Sequence, residues 1–243
     1  MADTIRIQMM DHFLIYIDEQ KTDQLATKSK KGASLVQYLI LNERQPVPNY
    51  RLINTLWDED KSTNPENALK TLVSRLRVLL NQIDPGLGNC IVADRGAYHW
   101  EMQPGMTVDM YEIDKIFARL SESNISEPER RKLYNQLLEL YTGDLLQHAD
   151  KNEWAMAKAT TLHNKFIAAM YAYIEMLKEH DQHTDIVSVC RRALDVDSFD
   201  DRLHMELMSA LIRINRTGEA LVQYKHVVQL NYRYLGVQPS QDL

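Results

Sequence analysis

Residues 4–20 alternate between apolar and polar positions, a pattern typical of short β-strands with one buried face. Ile5, Ile7 and Met9 share one side, and the run 13–17, rich in β-branched and aromatic residues, follows them. Short strands are therefore predicted at the start of the chain.

Further along, the apolar residues recur at the spacing of amphipathic helices. This spacing predicts helices over 34–42, 51–57 and 66–82. Pro65 comes just before the third helix, near the first turn, where a missing N–H costs little.

The third helix has two distinct faces. Its apolar stripe consists of Leu69, Leu72, Val73, Leu76 and Leu80. No acid follows Glu66, and the other side carries Lys70, Thr71, Ser74, Arg77, Val78 and Asn81, with Arg75 on the opposite flank. Such a helix fits the DNA major groove, because Arg and Lys reach base edges or phosphates and small side chains permit close approach. For one helix taken alone, a solvated polar face is the alternative.

A β-hairpin is predicted after this helix. Strand-like segments over 90–93 and 97–100 flank Asp94-Arg95-Gly96, which places the tip at Arg95-Gly96. A hairpin tip with one arginine has the right size to probe a DNA minor groove. Strands, three helices and a hairpin in this order predict an α+β winged helix-turn-helix.

The second half of the chain is predicted to be all-α. Amphipathic helices are expected over 109–120, 127–141 and about 154–180, and Ser126 supplies an N-cap for the second. A repeat with an offset of 34 residues follows, the spacing of tetratricopeptide helix pairs, whose stacked concave face binds partners. The aligned pairs are Leu177 with Leu211, Ile186 with Ala220, Cys190 with Tyr224, Ala193 with Val227, and Val196 with Leu230.

Charge is distributed unevenly between the two halves. The 243 residues carry a net charge of −6, which argues against a chain that binds polyanions over its whole surface. Residues 1–102 carry 12 basic and 13 acidic side chains, whereas residues 103–243 carry 16 and 21. The net charge of residues 28–95 is +3, so DNA binding by this part would depend on a few well-placed cations and on assembly.

Residues 5–101 resemble the OmpR/PhoB-type winged helix of bacterial response regulators. The resemblance rests on 35–41 and 52–57, on Ser74-Arg75-Leu76-Arg77 in the recognition helix, and on 94–98 in the wing. It implies that Lys70, Thr71, Ser74, Arg75 and Arg77 enter the major groove and that Arg95 acts from the wing. It also implies that the loop 57–64 faces RNA polymerase, where Asp58, Glu59 and Asp60 would contact a basic surface.

Residues 109–238 resemble the bacterial transcriptional activation domain, the helical partner of a winged helix in antibiotic-regulatory-type activators. The matching stretches are 141–146, Trp154, 192–197, 207–211 and 235–239. The two resemblances are adjacent and follow the order usual in that family. Together they imply a transcription regulator.

Enzymatic chemistry has no support in the sequence. Neither a phosphate-binding glycine loop nor a GxSxG or HExxH motif is present. His180 and His183 are interpreted as solvated rather than as metal ligands, and Cys190 as a buried packing residue. The absence of a signal-peptide pattern and of paired cysteine motifs favours a reduced, cytoplasmic location.

We therefore expect a winged-helix domain over 1–102, a linker over 103–108 and a tetratricopeptide-like helical domain over 109–243. The expected function is sequence-specific DNA binding by a transcription regulator, as an activator at direct repeats near promoters. The partners would be double-stranded DNA, RNA polymerase and a second copy of the chain, with a peptide or small-molecule effector in the helical domain. No catalytic residue, cofactor or metal is expected. The alternative is an adaptor whose winged helix has lost DNA binding and whose repeat groove holds a peptide.

Overall fold

A computed structural model describes residues 4–42, 45–57, 64–149 and 153–236. These residues form two compact units, one of 1–114 with 145–160 and one of 115–144 with 161–243. Neither unit contains, within its described residues, a helix long and apolar enough to cross a bilayer.

The first unit begins with a four-stranded sheet in the order β3-β2-β1-β7. Its strands are β1 (Ile5–Gln8), β2 (Leu14–Ile17), β3 (Gln20–Thr22) and β7 (Met106–Val108). β1 and β2 confirm the short strands predicted at the start of the chain, and β1 pairs antiparallel with β2 and parallel with β7. β7 lies inside the segment predicted to be a linker, because three residues are too few to show a strand period.

Four helices and a second sheet complete the winged-helix part of this unit. The helices are α1 (Gln24–Lys28), α2 (Lys30–Leu41), α3 (Asn49–Leu56) and α4 (Pro65–Ile83). The strands β4 (Val47–Pro48), β5 (Ile91–Asp94) and β6 (Ala97–Trp100) form a sheet in the order β4-β6-β5. The three predicted helices and the hairpin are confirmed. The structure adds α1 and β4, which are too short to show a hydrophobic period in the sequence.

A single carboxylate organises the junction between β7 and the next helix. Asp109 is 4% exposed and accepts hydrogen bonds from the backbone N–H groups of Met9, Met10 and Met110 at 2.7–3.0 Å. Burial raises the pKa of Asp109 to about 6, although the three N–H donors oppose that shift. Three otherwise unpaired donors are thereby satisfied inside the core.

Six helices account for most of the second half: α5 (Asp109–Leu120), α6 (Glu127–Leu140), α7 (Met156–Glu179), α8 (His183–Val196), α9 (Asp201–Arg213) and α10 (Thr217–Leu230). A short π-helix (Asn231–Leu235) follows α10. The all-α prediction is confirmed. Helix α8 packs against α9, and α9 packs against α10, as stacked helix pairs do.

The 34-residue repeat has a backbone counterpart. Asp181 and Asn215, which are 34 positions apart, both have a left-handed backbone, with φ of 53° and 60°. The residue after each donates its N–H to a leucine carbonyl five positions back, at 3.0 Å for Leu177 and 2.8 Å for Leu211. Helices α7 and α9 therefore end in the same type of C-cap. Among the aligned side chains, Cys190 is buried whereas Tyr224 is 42% exposed.

Candidate nucleic-acid interface

The start of α4 is fixed by local sequence. The Asn64 side chain accepts a hydrogen bond from the Asn67 N–H at 3.0 Å, and Pro65 occupies the first turn. An Asn cap followed by proline satisfies one orphan donor and removes another. The helix therefore begins at a defined residue, which sets the direction of every side chain after it.

The apolar stripe of α4 is confirmed with one difference. Leu69, Val73, Leu76 and Leu80 are buried, whereas Leu72 is only half-buried. Burial of this stripe holds α4 against the rest of the first unit and leaves the other side of the helix in solvent.

Exposed side chains cover that other side. Thr71, Ser74, Arg75 and Val78 follow the i, i+3, i+4, i+7 spacing that places residues on one helix face, and Lys70 lies on its flank. All five are exposed. The structure thus brings together four of the five predicted α4 contacts, Lys70, Thr71, Ser74 and Arg75, on one exposed surface.

Arg77 differs from these residues. It is half-buried, and its guanidinium Nη2 donates a hydrogen bond to the Ile91 carbonyl at 2.6 Å. Ile91 begins β5, an edge strand of the second sheet. Arg77 therefore connects α4 to the hairpin, a contact that sequence spacing alone does not reveal.

Two further contacts join α4 to the segment before the hairpin. The Asn81 Oδ1 accepts hydrogen bonds from the N–H groups of Gly86 and Gly88, at 3.2 and 2.9 Å. A Cβ at Gly88 would lie 2.5 Å from the Arg77 carbonyl oxygen, so only glycine permits this approach. These contacts, together with that of Arg77, fix the hairpin relative to α4.

The hairpin tip is a two-residue turn, as predicted. Asp94 pairs with Ala97, and Arg95 and Gly96 between them have φ of 39° and 87°. Two positive φ values define the type I′ turn that matches strand twist. The side chain of Arg95 is exposed at this tip, and no other atoms lie within 4 Å of a Cβ built at Gly96.

Sequence reasoning missed the start of α3. The Asn49 N–H donates to the Gly96 carbonyl at 2.9 Å, which brings the first turn of α3 next to the hairpin tip. Tyr50 is 63% exposed and Arg51 is exposed in this turn. An exposed aromatic residue followed by a cation is the signal that could have pointed to this position.

The predicted polymerase-contact residues Asp58, Glu59 and Asp60 lie outside the described residues. They therefore stay a prediction.

In the second unit, a polar cluster joins two of the stretches that carry the family resemblance. The Tyr141 hydroxyl donates to Asp144 at 3.0 Å, and His163 lies between Asp144, at 3.0 Å, and Asp197, at 3.4 Å. Burial alone would lower the pKa of His163, but its two carboxylate partners raise it above its ordinary value. The cluster connects His163 of α7 with Asp144, which precedes α7, and with Asp197, which follows α8.

Other candidate groups do not form a reactive centre. Cys90 and Cys190 are free and buried, and burial raises the pKa of each thiol to about 12. His180 pairs with Glu127 at 2.7 Å, and His183 lies 3.7 Å from Asp181, so the two histidines have separate neighbours.

Family comparisons match both halves of the chain. The family described as bacterial transcriptional activator domain matches residues 110–243, and that described as transcriptional regulatory protein, C terminal, matches 23–97.

The curated relatives are regulatory proteins of Streptomyces. The chain is similar to regulatory protein AfsR of Streptomyces coelicolor, with 26% identity over 223 residues, and to AfsR of Streptomyces griseus, with 25% over 224. It is also similar to transcriptional regulator RedD of Streptomyces coelicolor, with 23% identity over 88% of this chain and 61% of RedD. The alignments with the two AfsR proteins cover 91% of this chain but only 22% of each relative.

A solved structure has the same fold. Mycobacterium tuberculosis EmbR, determined in complex with a low-affinity phosphopeptide, superposes with a TM-score of 0.65 at 19% identity. The similarity covers 98% of this chain and 62% of EmbR. Both matched families and RedD are named for transcription regulation, in agreement with the sequence-based expectation of a regulator rather than an enzyme.

Proposed function

The chain belongs to the bacterial transcriptional activator domain family of transcription regulators, and we propose that it acts by sequence-specific binding of double-stranded DNA through α4 and the hairpin. The observation that carries the proposal is the exposed α4 surface of Lys70, Thr71, Ser74, Arg75 and Val78, whose opposite side is buried. Arg and Lys on such a helix pair with guanine edges or phosphates in the major groove.

The hairpin tip extends this surface. Arg95 reaches outward from a short, constrained turn and enters the adjacent minor groove, where A·T-rich sequence attracts cations. Tyr50 and Arg51 at the start of α3 contact phosphates, which position the protein without reading sequence. The loop that contains Asp58, Glu59 and Asp60 contacts RNA polymerase.

The proposed surface has four exposed cations, Lys70, Arg75, Arg95 and Arg51, so a single chain has weak affinity for DNA. We infer that two copies bind a pair of direct repeats and that the protein activates transcription from nearby promoters. The helical unit serves assembly or binds a peptide or small-molecule effector on its repeat surface.

The test uses the full chain and a duplex selected with it from a random-sequence pool. Arg75→Ala is expected to weaken binding by about 1–3 kcal/mol, or about 5- to 150-fold, because it removes a base-reading cation. Arg213→Ala, which removes an exposed arginine of α9, is the matched control and should bind as the parent does. Fluorescence anisotropy measures the affinities, and thermal melts monitor folding.

Two results would contradict the proposal. One is a folded Arg75→Ala variant with unchanged affinity, which would remove α4 from the interface. The other is failure to select any duplex, which would favour an adaptor whose repeat surface binds a peptide.

A further inference from the structure

Three potential metal ligands meet in the first unit, away from α4 and the hairpin. Asp11 and His12 lie in the turn between β1 and β2, and His148 lies in the segment that follows Leu145. The Asp11 carboxylate is 2.8 Å from His12 Nδ1 and 3.1 Å from His148 Nε2. The two imidazole rings are 4.3 Å apart. Among the described residues, this is the one group of three such side chains whose ligand atoms lie within 4.8 Å of one another.

Backbone contacts hold these side chains in place. Leu145 forms an antiparallel bridge with Met10, and the Leu146 N–H donates to the Met9 carbonyl at 2.9 Å. The His148 N–H reaches the Asp11 carbonyl at 3.4 Å. Asp11 itself has φ of 64°, a left-handed conformation that Asp tolerates better than most residues. The group is therefore supported by the fold and not by side chains alone.

We propose that Asp11, His12 and His148 form a binding site for a first-row divalent transition metal, with Zn²⁺ as its probe ligand. Two imidazoles and one carboxylate are the donor set preferred by Zn²⁺ and its neighbours, whereas Mg²⁺ and Ca²⁺ prefer oxygen ligands. Ligands of a tetrahedral zinc ion lie roughly 3.3 Å apart, given metal–ligand distances of about 2.0–2.1 Å. The separations of 2.8 Å for His12 and 3.1 Å for His148 from the Asp11 carboxylate lie close to that value, and the ligand atoms of the three residues all lie within 4.8 Å of one another.

A cavity lies beside the two histidines of the group. Its volume is about 440 Å³, which has room for a water molecule or another donor. A bound metal would link the β1–β2 turn to the segment around His148, two stretches far apart in the chain. Metal binding would accordingly stabilise the first unit, since a ligand that binds only the folded state raises its stability.

The experiment uses the full chain without an affinity tag, because a histidine tag would bind metal itself. After treatment with a chelator, the protein is titrated calorimetrically with Zn²⁺ and with Mg²⁺, and melting temperatures are measured with and without each ion. We expect one Zn²⁺ per chain, a higher melting temperature with Zn²⁺, and no response to Mg²⁺. Binding of Co²⁺ should give the visible absorption of a nitrogen- and oxygen-coordinated ion.

Variants identify the ligands. Three variants, His12→Ala, His148→Ala and Asp11→Asn, should each weaken Zn²⁺ binding by at least about 10-fold. A loss of that size already follows when a residue that hydrogen-bonds to a metal ligand is replaced. His226→Ala, which removes an exposed histidine of α10, should leave it unchanged. His148→Gln keeps a hydrogen-bonding side chain beside Asp11 and separates loss of a ligand from loss of structure.

The proposal fails if the parent protein shows no saturable 1:1 binding of Zn²⁺. It also fails if a folded His12→Ala/His148→Ala double variant binds Zn²⁺ as the parent does.

Discussion

Arg75 and Arg77 are two positions apart on α4 but have different surroundings. Arg75 is exposed on the surface proposed to face DNA, whereas the guanidinium of Arg77 is bound to the Ile91 carbonyl. An RLR sequence motif treats the two arginines alike. The difference depends on an edge strand that begins fourteen residues later, and helix periodicity holds no information about it.

We predict that Arg77→Ala destabilises the first unit. The substitution leaves the Ile91 carbonyl without its charged donor, which typically costs about 1–3 kcal/mol. Urea denaturation should show this loss, whereas Arg75→Ala should change the free energy of unfolding by less than about 0.5 kcal/mol, as is usual for an exposed residue. Equal stabilities of the two variants would show that the hydrogen bond between Arg77 and the Ile91 carbonyl does not stabilise the first unit.

Val78 is an apolar residue on an otherwise polar surface, with 59% of its area exposed. We predict that its methyl groups contact the C5-methyl group of a thymine, since apolar side chains distinguish thymine in this way. Replacing that thymine with deoxyuridine should weaken binding of the parent protein by about 1 kcal/mol and leave Val78→Ala unaffected. A double-mutant cycle between protein and DNA measures the coupling. Coupling near zero at every thymine of the selected duplex would contradict the prediction.

At the scale of elements, the spacing of apolar and turn residues predicted the longer helices and the hairpin. The helices α2, α3 and α4 and the hairpin of β5 and β6 have apolar stripes or turn residues that are visible in the sequence. The strands β3, β4 and β7 have only two or three residues each, too few to establish a period. Their positions depend on pairing with distant strands, which is tertiary information.

The same distinction applies to the candidate sites. The α4 surface lies on one helix, so spacing predicted most of it. His148 reaches Asp11 and His12 only because residues 145–149 return to the first unit, and a single sequence gives no sign of that return. The start of α3 joins the hairpin through one backbone hydrogen bond, which is equally invisible in the sequence.

The junction of β7 and α5 gives a prediction about pH. The pKa of Asp109 is raised from 3.8 to about 6 in the folded protein, mainly by burial. The folded state therefore holds this proton more tightly than the unfolded state, and the contribution of Asp109 to stability falls as the pH rises from about 4 to about 6. A shift of about two pKa units corresponds to about 3 kcal/mol.

Asp109→Asn tests this prediction. The amide cannot titrate, so the difference in free energy of unfolding between the parent and the variant should change across that pH range and level off above it. Asn offers one acceptor oxygen to three N–H donors, so the variant should also be less stable at pH 7, by about 1–3 kcal/mol. Urea denaturation from pH 4 to pH 7 measures both effects. Parallel stability curves for the two proteins would show that Asp109 does not titrate as predicted.

At the scale of the whole molecule, few positive charges are available for DNA binding. The proposed surface offers Lys70, Arg75, Arg95 and Arg51, and residues 103–243 carry a net charge of −5. Each neutralised phosphate contributes about −0.9 to the slope of log affinity against log salt concentration. Binding measured between about 50 and 200 mM salt should therefore give a slope no steeper than about −4 for one chain, and about twice that for two chains on direct repeats.

This slope separates the possible assemblies. Analytical ultracentrifugation of the complex gives the number of chains bound, and the slope per chain follows. If binding to the duplex shows a slope near zero, the protein releases no counterions from DNA. That result would favour the adaptor function, in which the partner is a peptide. A much steeper slope would mean that cations elsewhere in the chain contact DNA.

The pairing of β1 with β7, together with the Asp109 contacts, determines how the winged-helix part can be isolated for study. A fragment that ends at residue 102, the boundary suggested by the sequence, would expose the free edge of β1 and leave the N–H groups of Met9 and Met10 without an acceptor. Such an edge invites pairing between molecules and aggregation. Expression of the winged helix alone should extend at least to residue 114, and aggregation of the shorter fragment would say nothing about its ability to bind DNA.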